Sequence, residues 1–125
     1  MTEFNGTESI LVVDDEATLT ELAAEILTDA GYAVTTAHDG EEALKYLANG
    51  SYDLLFTDII MPGMTGYRLV KEVETLYPDM KVLLTSGYQI RKETNDISPE
   101  LLEKIVSKPY GDKKLLRAIR LCLDE

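Results

Sequence analysis

Five short apolar runs recur along the chain and alternate with segments of helical spacing. The runs cover residues 10–14, 32–37, 52–58, 81–86 and 104–107. Their uniformly apolar or β-branched character is typical of strands that are buried on both faces. Because parallel strands need crossover connections, the alternation predicts one five-stranded parallel sheet with helices on both faces, a doubly wound α/β fold.

Four intervening segments place apolar residues at helical spacing: 16–30, 40–49, 65–77 and 111–123. Gly31 and Pro78 follow two of them and suit helix ends. The segment 87–103 is polar and interrupted by Ser98 and Pro99, so it predicts a fourth helix that is short or irregular. We expect this segment to be displaced more easily than the other helical segments, because it has few apolar residues to pack.

Composition indicates one domain. With 125 residues, 45% of them hydrophobic, the chain can bury a core without disulfides or metals. We predict a disordered leader over 1–8 and a folded domain over 9–125. The single cysteine and the lack of a long apolar run predict a cytoplasmic protein without membrane insertion. A net charge of −11 argues against direct binding to nucleic acid.

Polar residues cluster at the predicted strand ends, where ligands gather in open sheets of this kind. Asp14 and Asp15 follow the first strand, Asp58 ends the third, Ser86 ends the fourth and Lys108 follows the fifth. Three carboxylates in one small pocket repel one another. A hard divalent cation such as Mg²⁺ removes that conflict, and the lysine adds a charge suited to phosphate.

Each of these residues has a purely structural alternative. Asp14 and Asp15 suit the cap and first turn of a helix that Glu16 opens. Ser86 taken alone suits a loop cap, and Lys108 suits a solvated sheet edge. Their convergence on one edge favours a phosphate-handling site over these alternatives.

Four motifs around these residues resemble the receiver domain of two-component response regulators. They are VVDDE (12–16), DIIMPGMTG (58–66), TSG (85–87) and KPY (108–110), in that order. The resemblance covers residues 9–124. It implies a flavodoxin-like fold with strand order 2-1-3-4-5 and a signalling switch that is not a turnover enzyme.

The resemblance also implies the chemistry of the site. Asp58 would accept a phosphoryl group from a phosphohistidine of a histidine kinase or a histidine phosphotransfer protein. Ser86 would turn toward that group and Lys108 would pair with it, with Pro109 in the cis form. Mg²⁺ would be held by Asp14, Asp15, Asp58 and the backbone carbonyl of Ile60. An output domain or a downstream protein is the further partner expected.

Many members of this family carry an aromatic residue three positions before the lysine, whereas this chain has Ile105. We therefore expect no aromatic rotamer switch, and hypothesise that the signal passes through Ser86 and residues 87–103. Tyr88 and Ile60 are expected to border the phosphoryl group and slow its hydrolysis.

The alternative function is a pseudo-receiver, an interaction module of the same fold that never takes up phosphate. A flavin carrier is disfavoured because acids occupy the place of a phosphate-binding loop after the first strand. A metal-dependent hydrolase is disfavoured because no additional base is evident.

Overall fold

The computed structural model describes residues 4–87 and 98–125, and within them strands and helices alternate. The strands are β1 (Ser9–Val13), β2 (Ala33–Ala37), β3 (Leu54–Asp58), β4 (Lys81–Ser86) and β5 (Val106–Ser107). The helices are α1 (Ala17–Asp29), α2 (Gly40–Ala48), α3 (Gly66–Leu76), α4 (Pro99–Glu103) and α5 (Asp112–Leu123). None of these helices is both long and apolar enough to cross a bilayer.

The strands form one parallel sheet in the order β2-β1-β3-β4-β5. This confirms the predicted flavodoxin-like sheet and its strand order. The fourth helix, with five residues, is short as predicted. Residues 88–97 of the segment predicted to be displaced most easily lie outside the described residues.

The fifth strand is shorter than the sequence predicts. It contains only two residues, Val106 and Ser107, whereas the apolar run covers 104–107. The Lys104 N–H donates to the carbonyl of Leu101 at 3.2 Å, so this residue closes the turn after α4 instead of pairing with β4.

Alternating residues of the strands enter two separate cores. Ile10 and Val12 pack with α1 and α5, while Leu11 and Val13 pack with α2 and α3. Strand side chains alternate between the two faces of a sheet, so a strand covered by helices on both faces must be apolar throughout. This double coverage is the reason for the continuous apolar runs in the sequence.

The residues that precede β1 are bonded to the rest of the domain near the amino ends of the strands. The hydroxyl of Tyr32 donates to the carbonyl of Phe4 at 2.9 Å, and the Gly6 N–H donates to the carbonyl of Ala30 at 3.2 Å. The guanidinium of Arg120 on α5 pairs with the carboxylate of Glu8. Residues 4–8 of the predicted leader therefore contact the domain, and residues 1–3 lie outside the described part.

The start of α3 is seated directly on the end of β3. The Gly66 N–H donates to the carbonyl of Ile59 at 2.7 Å. A Cβ on Gly66 would lie 2.2 Å from the backbone oxygen of Asp58 and 2.6 Å from the Cα of Ile59. Only glycine fits here, since both neighbouring atoms belong to the backbone and cannot rotate away.

We predict that Gly66→Ala lowers the free energy of unfolding by about 1–3 kcal/mol, because α3 must move away from the end of β3. Urea unfolding followed by circular dichroism measures the loss. Gly111→Ala is the matched control: a Cβ there meets no atom within 4 Å, so its cost stays below about 1 kcal/mol. Equal losses in the two variants would contradict the steric explanation.

Candidate functional site

The predicted site residues come from distant parts of the chain and lie at the carboxyl edge of the sheet. Asp14 and Asp15 follow β1, Asp58 is the last residue of β3, and Lys108 follows β5. Ser86 is the last residue of β4. Parallel strands make this possible, because their carboxyl ends all point to the same edge.

Three carboxylates form a compact cluster at this edge. Among the residues that the structure describes, Asp14, Asp15 and Asp58 each offer an oxygen within 4.8 Å of the others. Asp14 and Asp58 are only 2% and 5% exposed, whereas Asp15 is open to solvent. Two of the three negative charges are therefore removed from water, which is unfavourable unless a positive charge lies near them.

Lys108 supplies a positive charge inside this cluster. Its Nζ lies 2.8 Å from Asp58 Oδ2 and 2.9 Å from Asp14 Oδ2, with only 11% of the side chain exposed. Burial acts to lower the pKa of this ammonium, but the bonds to the two carboxylates outweigh it and hold the pKa above its ordinary value. Lys108 is therefore a fixed cation shared by two buried acids.

The environment of Asp58 disfavours its charged form. Burial raises the pKa of this carboxyl above its ordinary value, although the Lys108 ammonium and the Ile60 N–H oppose the shift. The Ile60 N–H donates to Asp58 Oδ1 at 3.2 Å. The positive charge and the N–H beside Asp58 offset only part of the cost of burying its negative charge. Binding a further cation would therefore stabilise the charged carboxylate.

An open cleft of about 660 Å³ gives access to the cluster. Its lining includes the charged residues Asp15, Asp58 and Lys108 and the uncharged residues Ile60, Met61, Pro62 and Gly87. Ile60 is 42% exposed and lines the cleft; its expected position beside a phosphoryl group stays a prediction. Tyr88, which is also expected to border the phosphoryl group, lies outside the described residues.

A backbone hydrogen bond ties Lys108 to Ser86. The Lys108 N–H donates to the carbonyl of Ser86 at 3.0 Å, and Ser86 itself is 7% exposed. The Lys108–Pro109 peptide bond is cis, as the motif implied. A shift at the end of β4 would therefore act on the loop that carries Lys108.

Glu16 contributes a contact that sequence reasoning missed. Its carboxylate Oε1 lies 3.6 Å from Lys108 Nζ and forms part of the cleft. The same residue is the N-cap of α1, and its backbone N–H donates to Asp14 Oδ1 at 3.0 Å. The three adjacent acids were visible in the sequence, but their helix-capping alternative hid the contact of the third with Lys108.

The donor set fits Mg²⁺. Three carboxylates meet one ammonium, so two negative charges of the cluster are left without a partner charge. All the side-chain donors are oxygens, and one face is open for water, as hard divalent cations require. Asp14, Asp15 and Asp58 are thus able to hold such a cation.

Replacement of Asp58 by asparagine is expected to stabilise the metal-free protein at neutral pH by about 1 kcal/mol. Because the native pKa of Asp58 exceeds its unfolded value, the native state keeps a proton that the unfolded state has already lost. The free energy of unfolding therefore falls as the pH rises from the unfolded pKa of Asp58 to its native pKa. Asp58→Asn avoids this loss because asparagine does not ionise.

The measurement is urea unfolding in EDTA at pH 7 and near pH 3, where the unfolded carboxyl is also protonated and the gain should vanish. Asp39→Asn serves as the control, since this exposed cap of α2 accepts the Glu42 N–H through an oxygen that asparagine also offers. A variant less stable than the parent at pH 7 would contradict the explanation.

Two curated proteins have sequences similar to this chain. The transcriptional regulatory protein DltR of Streptococcus agalactiae is 33% identical over 113 residues, which are 90% of this chain and 50% of DltR. The response regulator receiver protein CpdR of Brucella abortus is 30% identical over 114 residues, 91% of this chain and 95% of CpdR. The chain thus spans half of DltR and nearly all of CpdR.

Solved structures agree with the fold. The chemotaxis response regulator CheY4 of Vibrio cholerae has a TM-score of 0.82 and 28% identity, covering 94% of this chain and 99% of CheY4. The response regulator TrrA of Thermotoga maritima, solved in complex with Mg²⁺-BeF, has a TM-score of 0.80 and 34% identity over 93% of this chain and 99% of TrrA. Residues 10–120 match the family model described as the response regulator receiver domain. The protein therefore belongs to the response regulator receiver domain family.

Proposed function

We propose that the protein is a phosphorylation-dependent signalling switch in which Asp58 accepts a phosphoryl group. The observation that carries the proposal is the position of Lys108 Nζ, which lies 2.8 Å from Asp58 and 2.9 Å from Asp14 in a site where Asp58 and Lys108 line an open cleft. A carboxylate accessible from the cleft, with a fixed cation beside it, meets the two requirements of a phosphoryl acceptor: a nucleophile and charge neutralisation.

The proposed donor is a phosphohistidine of a histidine kinase or a histidine phosphotransfer protein. An oxygen of the Asp58 carboxylate attacks phosphorus, a P–O bond forms and the P–N bond breaks. The donor ring, which carries a proton on its other nitrogen, leaves as neutral imidazole with the electron pair of the P–N bond. Lys108 then pairs with an oxygen of the transferred group. Asp58 and Asp14 hold the pKa of this ammonium above its ordinary value, so Lys108 is charged when the donor arrives.

The acidic cluster is proposed to hold Mg²⁺ through Asp14, Asp15, Asp58 and the Ile60 carbonyl. When bound, this cation neutralises charge on the phosphoryl oxygens as they pass to the acceptor. Asp15 is exposed and lines the cleft, whereas Asp14 is buried, and their carboxylates lie within 4.8 Å of each other. The side chain of Ile60 limits the access of water to the acylphosphate.

Receiver domains are signalling modules that work with histidine kinases and output domains, and they are not turnover enzymes in the usual sense. For this chain we propose a downstream protein or an output domain as the target of the switch. The surplus of negative charge supports a protein target over nucleic acid. The cytoplasmic location stays a prediction.

The first test is incubation with a small phosphodonor such as phosphoramidate, followed by intact mass measurement. We expect incorporation that requires Mg²⁺ and is absent in Asp58→Asn. Asp15→Asn is expected to weaken the apparent Mg²⁺ affinity by at least about tenfold. Glu21→Gln, the same charge change on an exposed position of α1, leaves it unchanged.

A folded parent that binds Mg²⁺ but incorporates no phosphoryl group would refute the proposal. The pseudo-receiver alternative predicts this result, since an interaction module needs no reactive carboxylate. Incorporation that survives in Asp58→Asn would instead refute the choice of acceptor.

The second test concerns the route of the signal. We propose that Ser86 turns toward the phosphoryl group and that residues 87–103 rearrange in response. Ile105, part-buried against the α2–α3 core, offers no aromatic ring for a rotamer switch. With Mg²⁺ and beryllofluoride as a phosphoryl mimic, amide exchange should change by about tenfold or more across 87–103 and stay constant in α2.

Ser86→Ala is expected to bind the mimic and lose most of this response, whereas Ser51→Ala, on an exposed loop away from the cleft, keeps it. Unchanged protection across 87–103 in the parent would refute the proposed route.

A further inference from the structure

Thr85 makes a buried bond between two strands beside the site. Its hydroxyl donates to the carbonyl of Val106 at 2.6 Å, and the two residues are 1% and 3% exposed. Thr85 belongs to β4 and lies opposite Asp58 in the register of β3, while Val106 opens β5. The bond therefore joins the strand next to the acceptor with the strand that leads to Lys108.

The short length of β5 makes this bond important. The strand has two residues and lies at an edge of the sheet, so among the described strands only β4 pairs with it. Lys108 follows its last residue directly, and its own N–H donates to the carbonyl of Ser86 at 3.0 Å. Few ladder bonds are available to such a strand, and one additional buried bond is a large share of what fixes its position.

Other buried threonines do not make this kind of link. In the described residues, the hydroxyl of Thr57 donates to the carbonyl of Asp58 at 3.0 Å, and that of Thr20 donates to the carbonyl of Ala17 at 2.9 Å. Both bonds stay within one element. Of these three threonines, Thr85 alone connects two elements.

We infer that Thr85 is a positioning residue for Lys108: its hydroxyl holds β5 against β4, so that the ammonium reaches Asp58 and Asp14. Thr85 does not line the cleft, and its hydroxyl bonds to the Val106 carbonyl, so it acts through the backbone of residues 106–108. The contribution to phosphoryl uptake rests on the proposed function, whereas the placement of Lys108 does not.

The test compares Thr85→Val, which keeps the shape and removes the donor, with Thr85→Ser, which keeps the donor. Thr20→Val is the matched control, since it removes a buried threonine hydroxyl without affecting β5. Amide exchange of the Lys108 N–H is measured first. We expect protection to fall by about tenfold in Thr85→Val, to remain near the parent value in Thr85→Ser, and to remain so in Thr20→Val once global stability is matched.

Phosphoryl uptake from phosphoramidate in Mg²⁺ is the second readout. We expect the maximal rate to fall by about tenfold in Thr85→Val and to recover in Thr85→Ser, because the charge of Lys108 acts on the reacting group. A purely structural role would lower stability in Thr85→Val and Thr20→Val alike and leave the maximal rate of the folded protein unchanged.

The outcomes separate this inference from the proposed function. Parent-like Lys108 protection in Thr85→Val overturns the inference, even if the parent takes up phosphoryl normally. If the Lys108 amide loses protection in Thr85→Val but the parent takes up no phosphoryl group, the role of Thr85 in placing Lys108 is supported and the proposed function is refuted. If Thr85→Val does not fold, lost Lys108 protection in folded Thr85→Ser overturns the inference by itself.

Discussion

The ion pairs of Lys108 with Asp14 and Asp58 are the interaction on which the carboxyl edge of this receiver domain depends. Two carboxylates that are almost fully buried cannot both remain charged beside one another without a counter-charge. The ammonium supplies one charge and leaves the cluster with a surplus. The site is therefore stable enough to fold and still disposed to take up a cation.

The fold provides this arrangement through its topology. Asp14, Asp58 and Lys108 are far apart in the chain, but each stands at or just beyond the carboxyl end of a parallel strand. The two apolar cores on either face of the sheet hold those strands in register. The polar contacts at the carboxyl edge then only have to position the side chains of the site. Gly66 contributes here by letting α3 start directly against the backbone of Asp58.

Much of this could be predicted from the sequence because the signals are local. Strands buried on both faces leave continuous apolar runs, and site residues directly follow such runs. The start of β5 was harder to predict, since whether Lys104 extends the strand or closes the turn after α4 depends on one backbone bond to Leu101. The link from Thr85 to Val106 was out of reach, because a hydroxyl does not reveal in sequence which carbonyl it will meet. The contact of Glu16 with Lys108 was hidden for a similar reason: a helix cap and a site residue look alike.

The shortness of β5 also affects how the domain behaves in a crowded solution. An edge strand presents unpaired N–H and carbonyl groups that can recruit a strand from another molecule, and a long, flat edge is a known starting point for aggregation. A strand of two residues, with a proline that has no N–H two positions after its end, offers almost no such template. The shortness of β5 thus has two effects: few hydrogen bonds position Lys108, and few backbone groups are exposed at this edge for pairing with a strand of another molecule.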